Sequence, residues 1–384
     1  MDLLVMAGKR IAIVGAGVGG LVVAAALRCR GFEVVVFEQA PRLRQQGTGL
    51  GLWTNAVVAL RELGLEDLLG GIAEPVERLV FLSARGERLN EVRLDRISRR
   101  FSAPSVNVHR GELLNALAGA AGYETIVFGA RCVGFEQDAW GVTLRFADGT
   151  ERRANLLVAA DGAGSEIRRA IHGKDGGKMR LWSGWQGMAS RPAGLPERAG
   201  LFVLSDPGLA GFYQLTGDRV HWFLDDYAPV RSSASAAEAL QERVGKWPPM
   251  VREVVTATPP SSIRYDEIRD LLPYRRWGTG RVTLLGDAAH PMLPTLGQGA
   301  CQAIEDAAAL VRCFESGTDA EAALRVYERR RSRRAATFVR ASRHSADLRR
   351  RAPAGPRDAL IRAIPSRLLS SLFGRTIRPV KITK

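Results

Sequence analysis

Close to the N-terminus the chain reads Gly15-Ala16-Gly17-Val18-Gly19-Gly20, a run that leaves its backbone few choices. Lys9 to Val14 before it predicts a strand. Leu21 to Cys29 after it predicts a helix closed by Gly31. Phe32 to Glu38 (FEVVVFE) is a second strand, ending in an acid. Strand, glycine turn, helix and strand make a βαβ unit with a mechanism of its own. Gly15 permits the tight turn, Gly17 lets a pyrophosphate approach the backbone, and Gly20 lets helix and strand pack closely. Glu38, about 20 residues on, suits both hydroxyls of an unphosphorylated adenosine ribose, which favours FAD or NAD over NADP.

A second stretch, Gly286 to Ala307 (GDAAHPMLPTLGQGACQAIEDA), has the same logic. Arg281 to Leu285 predicts a strand that delivers Asp287 at its end. Pro291, Pro294, Gly297 and Gly299 keep the next residues out of a helix, and from Ala300 the spacing of Ile304, Ala307 and Leu310 is helical. Backbone N–H groups from Gly297 to Cys301 are then expected to point outward, backed by the positive end of a helix dipole. Asp287 is short and acceptor-only, suited to ribose or ribityl hydroxyls.

Between these landmarks, Gly47 to Leu60 is a glycine-rich segment, with Gly51 inside it, running into a helix that ends near Gly64. Val108-His109-Arg110 precedes an amphipathic helix, Glu112 to Ala120. Gly141 to Val158 alternates with period two around an Asp148-Gly149 turn and reads as a hairpin. It leads to Asp161-Gly162, another acid at a strand end, with a helix starting near Ser165. From Lys178 to Pro273 the texture changes to short strands bearing Trp182, Trp185, Phe202, Phe212, Tyr213, Trp222, Phe223 and Tyr227, with a polar helix from Ala234 to Val244. This reads as a separate antiparallel sheet, one face of which could roof a flat organic ligand.

The formal net charge of +15 is local. Arg325 to Lys384 holds 18 basic and three acidic residues, and the remainder balances. The arginine-rich helix within it fits a solvated face first. Attachment to an anionic membrane surface or another acidic partner comes second, and nucleic acid last, because no aromatic-interleaved groove accompanies the charge. Ile11 to Leu27 superficially resembles an export signal, but its glycines divide it into strand and helix. No stretch approaches the roughly 18 apolar residues of a spanning helix. Four cysteines without a C-x-x-C pair fit a reducing compartment, and the expected location is the cytoplasm. The five histidines lack metal-ligand spacing, so no metal is expected.

The GAGVGG turn with Glu38, the Asp161-Gly162 pair after a hairpin, and GDAAH-P-LP-GQG followed by IEDA resemble the group A flavoprotein monooxygenases. That is the p-hydroxybenzoate and salicylate hydroxylase class, with urate hydroxylases and zeaxanthin epoxidases as relatives. The likeness runs from Arg10 to Arg350, including Tyr327, Arg330, Arg333 and Ser342 of a closing helix. It implies an α/β fold: a Rossmann-like FAD-binding domain (1–177 with 274–345), an inserted antiparallel-sheet substrate domain (178–273 with part of 70–107), and a basic C-terminal helical tail (346–384). It implies an enzyme that uses FAD, transient NADH or NADPH, and O2 to hydroxylate an aromatic or heteroaromatic small molecule through a C4a-hydroperoxide. Gly15, Gly17, Gly19, Gly20 and Glu38 would hold the ADP half, with Cys132 beside the adenine. Arg110 would lie by the flavin, Asp287 on the ribityl chain, and Asp161 would order loops near the pyrophosphate. Gly297, Gln298, Gly299, Ala300 and Cys301 would face the ring's pyrimidine edge, where donors stabilise the reduced anion. The loop from Pro291 to Pro294 would shield C4a from water.

One departure bears on the substrate. Several members of that family carry an arginine where this chain has Gln186, in Trp185-Gln186-Gly187, so no carboxylate clamp is expected there. His221 and Tyr213 are the candidates for polarising or deprotonating a substrate hydroxyl, with His221 in a suitable native range for a base. Two alternatives use the same fingerprint: epoxidation of an apolar isoprenoid or polyketide olefin, and a flavin-dependent reductase that inserts no oxygen.

Overall fold

The N-terminal βαβ unit forms as the sequence predicts. In a computed structural model of the chain, Arg10–Val14 and Glu33–Glu38 are strands and Val18–Arg28 is the helix between them. The structure describes residues 9–43, 48–173, 180–192, 194–206, 208–226, 236–316 and 319–379; Gly47, Tyr227 and the predicted helix start at 234–235 lie outside them. The helix begins three residues earlier than the sequence suggests, because extended Gly17 is already its N-cap. Every residue from Val18 to Leu27 is buried, so this helix needs cover on all sides. The parallel sheet and the helices Arg110–Ala121 and Gly299–Glu315 supply it.

That sheet has six strands in the order Gly278–Thr279, Val282–Leu284, Leu156–Ala159, Arg10–Val14, Glu33–Glu38 and Ile126–Phe128. Its neighbours run parallel except for the first pair. Their C-terminal ends therefore emerge along one edge, the side on which open α/β sheets bind ligands. Gly15, Glu38, Asp161 and Asp287 all follow or end strands on that edge. The predicted hairpin is present as Val142–Phe146 paired with Glu151–Ala154.

A seven-stranded sheet forms the second layer, in the order Arg264–Asp270, Arg180–Ser190, Arg219–Asp226, Gly208–Leu215, Ala199–Leu204, Arg78–Leu82 and Arg88–Arg93. It is antiparallel except between Ala199–Leu204 and Arg78–Leu82. Period-two alternation divides its aromatic residues between two faces. Trp185, Phe212 and Trp222 join Leu240, Val251 and Val255 of the helices Ala236–Val244 and Pro249–Thr256 in a separate outer core. Phe202, Tyr213 and Phe223 pack instead against the main core of the first layer.

The chain closes with helices Ala320–Arg351, Ala354–Ala363 and Ser366–Thr376. The sequence suits the arginine-rich first of these to a solvated face, yet it packs: it buries Leu324, Tyr327, Phe338 and Val339 together with the paired charges Glu328, Arg331 and Arg343. Arg343 donates two hydrogen bonds to buried Asp270, at 2.6 and 2.7 Å, and so ties this helix to the second sheet. No helix among the described residues is long and apolar enough to cross a membrane.

Candidate functional site

A cleft of about 500 Å³ opens along the carboxyl edge of the six-stranded sheet, lined by Gly15, Gly17, Glu38, Arg110, Cys132 and Asp161. Gly15 adopts φ +103°, and a Cβ there would lie 2.3 Å from the carbonyl oxygen of Ala160. A Cβ on Gly20 would lie 2.0 Å from the carbonyl of Gly15, so helix and turn touch directly. Gly17 differs: no atom stands within 4 Å of its Cβ position, which leaves its backbone open to a ligand. Gly19 faces the other way, toward Leu285 and Ala303, and serves helix packing rather than the cleft.

Glu38 accepts the N–H of Ala16 at 2.7 Å and that of Ala40 at 2.8 Å. Its carboxylate thus fixes the second strand to the glycine turn while each oxygen keeps a lone pair. Burial pushes the Cys132 thiol up to about 11, so this residue is apolar wall, not a nucleophile. Asp161 accepts from Ile167 N–H at 3.4 Å, and its buried Oδ1 has no partner within the protein. Burial raises this carboxyl, with Ser165 and Ile167 opposing. An orphan oxygen beside an open glycine turn fits a hydroxyl-rich dinucleotide.

Asp287 lies in a 3₁₀ turn, Gly286–Ala288, and its Oδ1 is 3.9 Å from the Cβ position of Gly299. Water reaches this side chain, but protein atoms crowd its other sides. The net effect lifts its pKa, with His290, Arg110 and Arg168 opposing. Arg168 was not anticipated. Its fully buried guanidinium donates to the carbonyls of Ala163 at 2.5 Å, Ala288 at 2.9 Å and Asp287 at 3.3 Å, joining the two acid-bearing loops.

Pro294 opens the turn Pro294–Leu296, and Gly297 follows with φ +61°. The N–H of Gly297 donates to Pro294 at 2.9 Å, so this one of the expected outward donors is already used. Helix geometry leaves the next N–H groups, at the start of Gly299–Glu315, without intrahelical acceptors. Gly299 and Ala300 are half-buried, whereas the side chains of Gln298 and Cys301 turn inward. Gln298 accepts from Asn55 at 3.2 Å and Gln302 at 2.9 Å. The Cys301 sulfur accepts the N–H of Trp53 at 3.4 Å and lies 3.7 Å from the carbonyl of Gly51, which ties the two glycine-rich segments together. Burial pushes its thiol to about 12. These two side chains place backbone and supply no reactive group.

Beneath that loop is a buried ionic network. Asp306 accepts from Gly286 N–H at 3.0 Å, from Arg331 Nε at 2.6 Å, and contacts His290 Nε2 at 2.6 Å. Glu305 accepts from Asn55 and from Arg331 at 2.6 Å, and from Arg334 at 2.7 and 2.9 Å. Burial alone would raise both carboxyls, but the cations hold them below the ordinary range. The closing helix contributes Arg331 and Arg334 here, not the Arg330 and Arg333 singled out from sequence. Tyr327 behaves as expected of a packing residue, buried and donating to Leu284 at 3.1 Å.

The inner face of the second sheet carries Gln186, Tyr213 and His221 together. Tyr213 and His221 are cross-strand partners with nearly parallel rings. His221 Nε2 stands 3.3 Å from Gln186 Oε1, and the Gln186 amide donates onward to Asp266. A Cβ on Gly49 would lie 2.5 Å from His221 Cβ, so the strand Gly49–Leu52 rests directly on this residue. Burial and neighbouring His109 push His221 down to about 3, which corrects its reading as a group poised near neutrality. Burial also raises the Tyr213 phenol above its ordinary value.

Asp225, on the same strand as His221, is pushed to about 6 from an ordinary 3.8 by burial, with Arg349 and Trp182 opposing. A raised carboxyl means that the folded state holds its proton more tightly. The associated stability is present below about pH 4 and lost as pH rises through about 6. Asp225→Asn is therefore expected to stabilise the protein at pH 8 by up to about 3 kcal/mol, and by little at pH 4. Thermal melts at both pH values check this, and an equal effect at the two would refute it.

Comparison with known proteins agrees with this geometry. Residues 9–342 match the family model described as "FAD binding domain". The chain is 36% identical to a 3-amino-4-hydroxybenzoate 2-monooxygenase of Streptomyces cremeus, over 96% of this chain and 95% of that one. It is 34% identical to an aurachin C monooxygenase/isomerase of Stigmatella aurantiaca, over 87% and 88% respectively. Among solved structures, the Klebsiella pneumoniae protein HpxO complexed with FAD and uric acid superposes with a TM-score of 0.90 at 28% identity, over 97% of both chains. With an open glycine turn, a strand-end acid and a glycine-led helix start along one sheet edge, the chain belongs to the FAD-binding domain family and is a flavoprotein monooxygenase.

Proposed function

We propose that this enzyme hydroxylates an activated, uncharged aromatic or heteroaromatic ring held against the inner face of the seven-stranded sheet. The carrying observation is the juxtaposition of Gln186, Tyr213 and His221 with the strand Gly49–Leu52, next to the loop from Pro294 to Cys301. Gly15, Gly17, Glu38, Arg110, Asp161 and Asp287 hold FAD in this reading, with Gly299 and Ala300 at its ring. Bound FAD takes a hydride from NADH or NADPH and activates O2. The protein's part is to orient the ring, exclude water and fix a proton.

With Nε2–H directed at Gln186, neutral His221 presents Nδ1 as an acceptor, and this atom is buried without a protein partner. It polarises a substrate O–H or N–H by accepting a hydrogen bond. The amide of Gln186 orients the imidazole and supplies no positive charge for a carboxylate. The named substrates of the relatives, an aminohydroxybenzoate and uric acid among them, are activated rings too, but the benzoate carries a carboxylate for which Gln186 offers no countercharge. Phe81, Phe202 and Phe223, which stack or meet edge-on across the same face, favour a second reading, epoxidation of an apolar olefin. Four unpaired cysteines support a cytoplasmic location.

The test is NADH and NADPH oxidation against a panel of phenols, purines, quinolones and polyenes under labelled dioxygen. One labelled atom in a ring hydroxyl supports hydroxylation, an epoxide supports the second reading, and oxidation without incorporation moves the enzyme to the reductases. For His221→Asn, kcat is expected to fall about tenfold, the scale of one lost hydrogen bond. The pH profile between 5 and 8 should be unchanged. An inflection near 6.5 that this variant abolishes would instead make His221 a base.

A further inference from the structure

The basic C-terminal region does not expose its charge evenly. Along Ala320–Arg351 several arginines are committed to the body: Arg331 and Arg334 to Glu305, Arg343 to Asp270, and Arg349 to the carbonyl of Thr295 at 2.8 Å. The two helices that follow are also fastened on one side. Asn90 of the edge strand Arg88–Arg93 donates to the carbonyls of Ile361 at 2.7 Å and Ile364 at 2.8 Å, and Ser370 accepts from Arg93 N–H at 2.9 Å. Leu369 and Phe373 turn inward, Phe373 meeting Trp53 edge-on at 5.6 Å, and Ile377 is fully buried.

The opposite side of these helices is apolar where it should be polar. Leu360, Leu368 and Leu372 are 65%, 52% and 46% exposed. Leu368 and Leu372 are one turn apart on Ser366–Thr376, flanked by Arg367 and Arg375. Arg367 and Arg375 are exposed, with no ion-pair partner among the described residues, as are Arg350 and Arg351. The nearby acid Asp358 is already paired with Arg357. Leucines uncovered on a helix that packs its other side, through half-buried Leu369 and Phe373, against the core have no folding role there.

We propose that the outer face of Ala354–Ala363 and Ser366–Thr376 docks on an anionic lipid bilayer surface. Leucines enter the acyl boundary while the flanking arginines meet headgroup phosphates, the arrangement of interfacial helices. A second copy of this chain is a poorer occupant, because a two-fold contact sets Arg367 and Arg375 against their own like charges. Nucleic acid is poorer too, because leucines offer bases no stacking platform. The inference is independent of the substrate proposed above.

The test uses the full-length FAD-loaded protein, sedimented with vesicles of phosphatidylcholine or of equal parts phosphatidylcholine and phosphatidylglycerol. Partition to the anionic vesicles is expected to be at least about tenfold stronger. In the double variant Leu368→Ser/Leu372→Ser it should fall by about tenfold, with FAD content and NAD(P)H oxidation unchanged. Equal partition to both vesicles, or an unchanged double variant, overturns the proposal. So does a dimer that the double variant dissolves without any vesicle binding, which assigns the face to a second copy.

Discussion

Arg331→Ala is expected to cost about 3–5 kcal/mol, the range for removing one partner from a buried ion pair. Two carboxylates lose a cation at once. Asp306 is fully buried and Glu305 nearly so, and both carboxyls are held below the ordinary range, Asp306 by His290 and Arg331, Glu305 by Arg331 and Arg334. With alanine there, Glu305 keeps Arg334, whereas Asp306 keeps only His290 and the N–H of Gly286. Asp306 must then recruit a proton or water. At about 2 cal/mol/K of unfolding entropy per residue, the loss corresponds to a melting temperature lower by roughly 4–6 °C. It should also weaken FAD retention, because Gly286 precedes Asp287 and its N–H is held by Asp306. Arg334→Ala is the control: its side chain is partly exposed, Glu305 retains Arg331, and about 1 kcal/mol is expected. Thermal melts with and without added FAD separate the two effects. A melting point for Arg331→Ala within a degree of the parent would show that the network relaxes without cost.

The turn and strand-end acids were legible in sequence because their positions restrict residue type directly. A left-handed φ at Gly15 and a contact of 2.0 Å at Gly20 admit only glycine, and the strand run before them sets where they fall. Arg168 and Arg331 were not legible, because a buried guanidinium is defined by partners far along the chain. Arg168 is followed by Arg169, and Arg331 is one of three consecutive arginines, so composition could not say which pointed inward. A helix turns 100° per residue, and choosing Arg330 over Arg331 moves the charge from the network to the flank. The pKa of His221 was not legible for another reason. Its residue type suggests a base, but its pKa belongs to its surroundings, where burial beneath Gly49 and beside His109 outweighs everything else. Gln298 and Cys301 sit at a loop-to-helix junction that the sequence predicts, as N-cap and first-turn residue of Gly299–Glu315. Whether a side chain there faces ligand or core is a tertiary fact that the motif does not encode.

Gly17 and Gly20 lie three residues apart in one motif and should fail in opposite ways. Gly17→Val is expected to fold, since the N-cap φ of −77° suits any residue and nothing lies within 4 Å of the new Cβ. A cost of about 1 kcal/mol is reasonable for a poor N-cap. FAD affinity should fall by more than about 100-fold, equivalent to roughly 2.7 kcal/mol, because the new side chain fills the space through which a pyrophosphate meets the backbone. Gly20→Val reverses the pattern. Its Cβ would stand 2.0 Å from the carbonyl of Gly15, an atom fixed by the turn, so the helix must move off the sheet. Overpacking of this kind costs about 1–3 kcal/mol or more. The flavin-free forms compared by urea denaturation, and the ratio of flavin to protein absorbance after gel filtration, resolve the two. Full flavin retention by a folded Gly17→Val would place the pyrophosphate elsewhere. A Gly20→Val protein as stable as the parent would mean that the helix tolerates a shift which the contact at Gly15 forbids.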